Sequence, residues 1–242
     1  LGISETAYQN ALAYAKERKQ GKANNSKNGE ADLIIKHADI RRILMNMKSL
    51  IEGQRSLAFW VSQQIDVSLN HSDQKIKTNA DEIVSLMTPI IKSFFTDIGM
   101  EITNDAIQVF GGYGYTKDQG IEQLFRDNRI TPIYEGTNSV QAIDLVYRKI
   151  LNNKIFDKYI AQLSNEVKEL AKDEKLSLFT DKFFKYLELL NNFTLWLGKK
   201  NKTSRDDVSG ACNDYLKVLG YVALAHSWLK ILRVSHSKLN EN

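Results

Sequence analysis

Glu135 stands in the run ITPIYEGTNSV, residues 130 to 140, as a lone carboxylate between a proline-containing run and a Gly-Thr pair. General-base chemistry needs a carboxylate held in a fixed position, because a proton is transferred only across hydrogen-bond distance. Pro132 fixes its own φ and disfavours the α region for Thr131, so the approach to Glu135 is expected to be extended and stiff. Gly136 permits a sharp bend, and Thr137 or Asn138 can cap a helix beginning there. Val140, Ile143, Tyr147, Ile150 and Leu151 then recur at the three-and-four spacing of a helix that buries one face. Taken alone, this pattern favours a simpler role. Acidic residues ahead of a helix complement its partial positive charge by roughly 0.3–1 kcal/mol.

Other reactive side chains are sparse. The one cysteine, Cys212, excludes an internal disulfide, reads as a small buried hydrophobe and points to a reducing, cytoplasmic compartment. His226 lacks the partners of a metal or catalytic set and reads as a core or boundary histidine, and no metal site is expected. Hydrophobic residues make up 43% of the chain and charged residues 26%, the balance of a globular protein. A net charge of +4 is too weak a footprint for nucleic-acid binding, and part of it falls in the loop KKNKTSR, residues 199 to 205. No segment has the unbroken apolar length of a membrane span.

The elements that must position these residues are helices. Two prolines among 242 residues leave long uninterrupted runs, and nothing in the first 151 residues alternates with period two. A first helix puts Ile3, Ala7, Ala11, Tyr14 and Arg18 on one stripe and runs out in QGKANNSKNGEAD. A second is expected from about Asp39 to Leu69, with Ile40, Ile43, Leu44, Met47, Leu50, Ile51, Ala58, Val61 and Ile65 inward. The third begins near Asp81, meets Pro89 after the capping residue Thr88, and reaches Phe110 as two helices or one kinked helix. Gly111, Gly112 and Gly114 stop it. A short helix from Gln119 to Asp127 leads to the Pro132 loop, and the helix after Glu135 is expected to close at Asn152–Asn153. Three further helical patterns come after it, and the fold class is all-α, an up-and-down bundle with a second, smaller helical domain.

Three runs together carry a resemblance. AYAKERKQGK at 13–22, IIKHADIRRILMNMKSLIEGQRSLAFW at 34–60 and DAIQVFGGYGYTKDQGIEQLFRDNRITPIYEGTNSVQ at 105–141 resemble the C-terminal helical domain of the acyl-CoA dehydrogenases. The QVFGGYGY and IYEGT runs, at this separation, are the specific part. The resemblance covers residues 1–151, while 152–242 looks like the additional C-terminal helical domain of a larger subgroup. Leu1 falls inside what the resemblance makes the first helix of that domain, and the N-terminal and middle β-domains are missing. The chain is therefore expected to be a piece of a longer polypeptide.

The resemblance implies a flavin-dependent acyl-CoA dehydrogenase, with FAD as cofactor, an acyl-CoA substrate and an electron-transfer flavoprotein as acceptor. It implies Glu135 as catalytic base, with its backbone N–H and a flavin hydroxyl receiving the thioester oxygen, and Tyr134 and Gly136 at the substrate. Gly136 and Thr137 match residues lining the acyl and flavin pocket. Arg18, Gln108, Gly112 and Thr137 match cofactor-binding positions, the first three reaching the flavin of a neighbouring subunit in a homodimer or homotetramer. Without the family, Arg18 is a solvated charge at a helix end, Gly112 part of a helix stop, and Gln108 an exposed residue beside Asp97, Glu101 and Asn104. Two other functions stay open: a relative without turnover that serves in nucleic-acid protection or assembly, and an acyl-CoA oxidase. Glu135 favours an enzyme over the first, and the oxidase shares the same base.

Overall fold

The computed structural model describes residues 1–24, 29–152 and 155–239. Residues 25–28 of the polar loop, Asn153 at the expected helix end and the last three residues lie outside the described part. The chain is all-α, with no strand among the described residues. In order it forms α1 (Gly2–Glu17), α2 (Ala38–Asn70), α3 (Gln74–Phe110), α4 (Gly112–Tyr115), α5 (Ile121–Asn128), α6 (Asn138–Asp144), α7 (Ile155–Leu170), α8 (Ser177–Lys200) and α9 (Arg205–Leu239). The chain divides into two compact units, Leu1–Glu52 with Phe95–Tyr134, and Gly53–Phe94 with Glu135–Asn242.

In the first unit α1 buries Ala7, Ala11 and Ala15 completely, so backbones can approach closely along that stripe. Its last turn is fixed by Tyr14, whose ring stacks on Phe110 at 4.1 Å. The polar segment after α1 has more order than its composition promised. Lys19 and Leu33 form an antiparallel bridge, and Ile34 N donates to the Arg18 carbonyl at 2.8 Å. Asp32, buried in this turn, accepts from Ala23 N at 3.1 Å and from Lys36 Nζ at 2.8 Å.

α3 begins at Gln74, ahead of the expected Asp81, because Asp73 Oδ1 accepts from Lys75 N at 2.7 Å and caps the helix. It is one continuous helix through Pro89. An interior proline removes one backbone hydrogen bond and disfavours the helix by about 3 kcal/mol. Leu86, Met87 and Ile90 around it are fully buried, and losing their packing would be worse. Contrary to the sequence expectation, one stretch of α3 is long and apolar enough to cross a membrane, but half of it is buried within the chain. That burial accounts for its composition.

In the second unit α9 packs against α6, α7 and α8. It also packs tightly on α3 and α2: a β-carbon at Gly220 would stand 2.5 Å from the Phe94 ring, and one at Gly53 2.7 Å from both Leu224 and Trp228. Cys212 is buried in this core, its thiol pushed up to about 11 by burial, as its sequence context led one to expect. His226 is buried as well, with Nε2 3.0 Å from Glu166 Oε2, which Lys230 Nζ approaches at 2.8 Å.

Three inward positions fail. Ile65 of α2 is 42% exposed, as is Ile143 of α6, and Val140 is exposed further still. The inward face of this segment is Ala142, Leu145, Val146 and Ile150, and α6 continues as a π-helix over Leu145–Ile150. These buried positions keep three-and-four spacing, in a phase displaced from the one that Val140 and Ile143 suggested.

Candidate active site

The loop before Glu135 is folded rather than extended. Thr131 N donates to the Asn128 carbonyl at 3.0 Å, and Ile133 N and Tyr134 N both donate to the Ile130 carbonyl, at 2.9 and 3.1 Å. Successive turns therefore carry the end of α5 past Pro132 in place of the stiff extended run that its proline suggested. Asn128 anchors this from below, buried at the foot of the turns, with its amide against Gly99 where any β-carbon would come within 2.8 Å.

Glu135 then takes φ +55°, the one left-handed non-glycine among the described residues, and Gly136 comes next at +85°. A non-glycine residue in that region is strained by roughly 1–3 kcal/mol and persists only where its surroundings hold it. Thr137 returns to extended geometry and caps α6, its Oγ1 accepting from Val140 N at 3.4 Å. Three side chains grip the two left-handed residues and the cap. Gln141 Nε2 donates to the Glu135 carbonyl at 3.1 Å. Lys92 Nζ of α3 donates to the Gly136 carbonyl at 2.6 Å and to Asn138 Oδ1 at 2.8 Å. Asn138 Nδ2 in turn donates to the Ser93 carbonyl at 3.2 Å. The Glu135 side chain itself is exposed.

The other candidate residues divide between the units. Arg18, Gln108, Gly112 and Tyr134 belong to the first, and Gly136 and Thr137 stand beside Glu135 in the second. Arg18 is the C-cap of α1, and its guanidinium lies over the Tyr113 ring at 5.4 Å. Its Nε is buried without a hydrogen-bond partner among the described residues. Gln108 is exposed on α3 together with Asp97, Glu101 and Asn104. Two of the three glycines of GGYG have their own reasons to be glycine. Gly111 has φ +61°, and a β-carbon at Gly114 would strike the Ile107 carbonyl at 2.7 Å, but one at Gly112 would meet nothing within 4 Å. The chain's own packing gives no cause for glycine at 112.

Lys92, Gln141 and Tyr113 were not singled out in the sequence. Only Lys92 left a signal there, as a lone cation within PIIKSFF.

The chain matches the family model for the acyl-CoA dehydrogenase C-terminal domain over residues 1–151, and a second, described as acetyl-CoA dehydrogenase C-terminal like, over 163–242. It is 37% identical over 153 residues to the 3-methylmercaptopropionyl-CoA dehydrogenase of Ruegeria pomeroyi, covering 63% of this chain and 26% of that protein. The chain spans about a quarter to a third of the length of the curated relatives it matches. Its fold resembles that of ACDH-11 of Caenorhabditis elegans, solved in complex with C11-CoA, with a TM-score of 0.74 at 21% identity over 94% of this chain and 37% of that one. It also resembles an acyl-CoA dehydrogenase of Bacillus anthracis complexed with FAD, with a TM-score of 0.72 at 18% identity over 94% of this chain and 39% of that one. With two C-terminal family domains in succession on an all-α fold, the chain belongs to the acyl-CoA dehydrogenase family and comprises its C-terminal helical region.

Proposed function

We propose that this chain is the C-terminal part of an FAD-dependent acyl-CoA dehydrogenase in which Glu135 is the base. The observation that carries the reading is the left-handed conformation of Glu135 on a turn gripped by Lys92 and Gln141. A capping acid needs no strain of this kind, whereas strain held in place by its surroundings is characteristic of functional positions. Glu135 removes the proton from the carbon next to the thioester carbonyl, and its backbone N–H donates to the thioester oxygen on which negative charge gathers. Val140 is exposed beside the turn, 3.9 Å from where a Gly136 β-carbon would be, and gives an acyl chain an apolar wall. Tyr134 and Gly136, which flank Glu135 in the sequence, are assigned to the substrate as the resemblance implies.

The residues at hand fit FAD. Arg18 keeps a buried Nε in want of an acceptor, and Gly112 leaves open the space that a close-lying group would fill. Gln108 offers an exposed amide, and the Thr137 hydroxyl, accepting at the cap, retains its proton to donate. When bound, FAD supplies the acceptor for the hydride that leaves the β-carbon. Arg18, Gln108 and Gly112 serve a neighbouring subunit's FAD in a homo-oligomer, which reconciles the exposure of Gln108 and Gly112 with a binding role. Electrons then leave to an electron-transfer flavoprotein, as the resemblance implies.

The test is spectroscopic. The full-length protein should purify yellow with about one FAD per chain, and acyl-CoA should bleach it anaerobically. A full-length protein that binds no flavin, or whose flavin no acyl-CoA of short or long chain reduces, overturns the reading.

A further inference from the structure

The turn that carries Glu135 is fastened to α3 by a cation. Lys92 comes after Ile90 and Ile91 and precedes Phe94, and Ile90 and Phe94 are buried. Lys92 itself is only half-buried, and its ammonium reaches the turn. Its acceptors are the Gly136 carbonyl at 2.6 Å and the Asn138 amide oxygen at 2.8 Å. Both lie within three residues of Glu135, and both bonds are charge-assisted, stronger than neutral ones. Gln141 completes the hold from α6 through the Glu135 carbonyl at 3.1 Å. The peptide groups on the C-terminal side of Glu135 are thus fixed one after the other.

We propose that Lys92, assisted by Gln141, is a positioning residue for Glu135: it holds the left-handed turn so that the carboxylate keeps one direction. The proposal rests on the reading of Glu135 as the base. Lys92 does not touch substrate and acts only through the turn. Without the ammonium, two acceptors lose their donor and the left-handed residues lose their clamp. Glu135 then relaxes toward ordinary backbone geometry, and a shift of about 1 Å in a reacting group lowers a rate by roughly 10²-fold.

The experiment uses the full-length FAD-loaded protein with Lys92→Met, Lys92→Arg, Gln141→Leu, Glu135→Gln and the double variant Lys92→Met/Glu135→Gln. The anaerobic rate constant of flavin reduction is measured at saturation with the faster of butyryl-CoA and palmitoyl-CoA, beside KM, FAD content and unfolding temperature. Lys92→Met should lower the rate constant by roughly 10- to 100-fold with KM and FAD content held. Lys92→Arg, whose fork can reach both acceptors, should recover most of the loss, and Gln141→Leu should lose roughly 3- to 10-fold.

In the Glu135→Gln background Lys92→Met should change nothing further, because a residue that acts through a carboxylate has no effect once the carboxylate is gone. An equal loss in both backgrounds would show a merely structural role and overturn the proposal. So would a wild-type rate in Lys92→Met. Should Lys92→Met not fold, Gln141→Leu and its combination with Glu135→Gln carry the same comparison, and a Gln141→Leu rate equal to wild type decides against the proposal. A fast Glu135→Gln protein removes the base itself, whereas a slow one beside a fast Lys92→Met removes the positioning role alone.

Discussion

Gly136 and Gln141 compete for one space: a β-carbon on Gly136 would stand 3.2 Å from Gln141 Nε2, the atom that donates to the Glu135 carbonyl. Gly136 also has φ +85°, which an L side chain tolerates poorly. Gly136→Ala is therefore expected to destabilise the protein by about 1–3 kcal/mol and to loosen the turn around Glu135. Thermal unfolding of the chain should report the first effect and flavin reduction in the full-length protein the second. An alanine variant as stable and as fast as wild type would mean that the turn is not held as described.

Two glycines of α9 should respond in opposite directions to one substitution. At Gly220 an added β-carbon would meet the Phe94 ring at 2.5 Å, whereas at exposed Gly210 it would meet nothing within 4 Å. Gly220→Ala is expected to destabilise by about 1–3 kcal/mol through overpacking, and Gly210→Ala to stabilise by about 0.5–1 kcal/mol through backbone entropy. The unfolding midpoints of the two variants, measured side by side, check the packing of α9.

Periodicity located the long helices because their buried faces repeat every three to four residues. It does not report tertiary burial or turns that do not repeat. Pro89 reads as either a break or a kink, and the fully buried Leu86, Met87 and Ile90 carry one helix through it. Pro132 reads as a stiff extended approach, but hydrogen bonds to the carbonyls of Asn128 and Ile130 fold it into turns. The site was legible in part for the same reason. Glu135, Gly136 and Thr137 are adjacent and announce a turn before a helix. Lys92 lies 44 residues from Gly136, so no local pattern connects the two.

Acid should weaken the second unit through His226. Burial holds its imidazole below the ordinary 6.5 although Glu166 stands beside it. Glu166 itself is held well below the carboxylate range by its bond to His226, then by Lys230 and Gln162. In both cases the unfolded chain takes up the proton first, so stability is lost as pH falls. The loss through His226 begins below about 6.5, and that through Glu166 only below about 4.5. Between pH 7 and pH 5 the unfolding midpoint should therefore drop in wild type and drop less in His226→Gln. Parallel slopes for the two proteins would count against a neutral, buried His226.

The central claim is that Glu135 takes the proton from the substrate. Glu135→Gln preserves the shape of the side chain and the backbone bonds of its turn but removes the group that accepts a proton. In the full-length protein it should leave FAD content and unfolding temperature unchanged and lower the anaerobic rate of flavin reduction by acyl-CoA by at least roughly 10²–10⁴-fold, the usual consequence of losing a general base. Reduction at near wild-type speed by the glutamine variant would contradict the account and return Glu135 to the role of an acid set ahead of a helix.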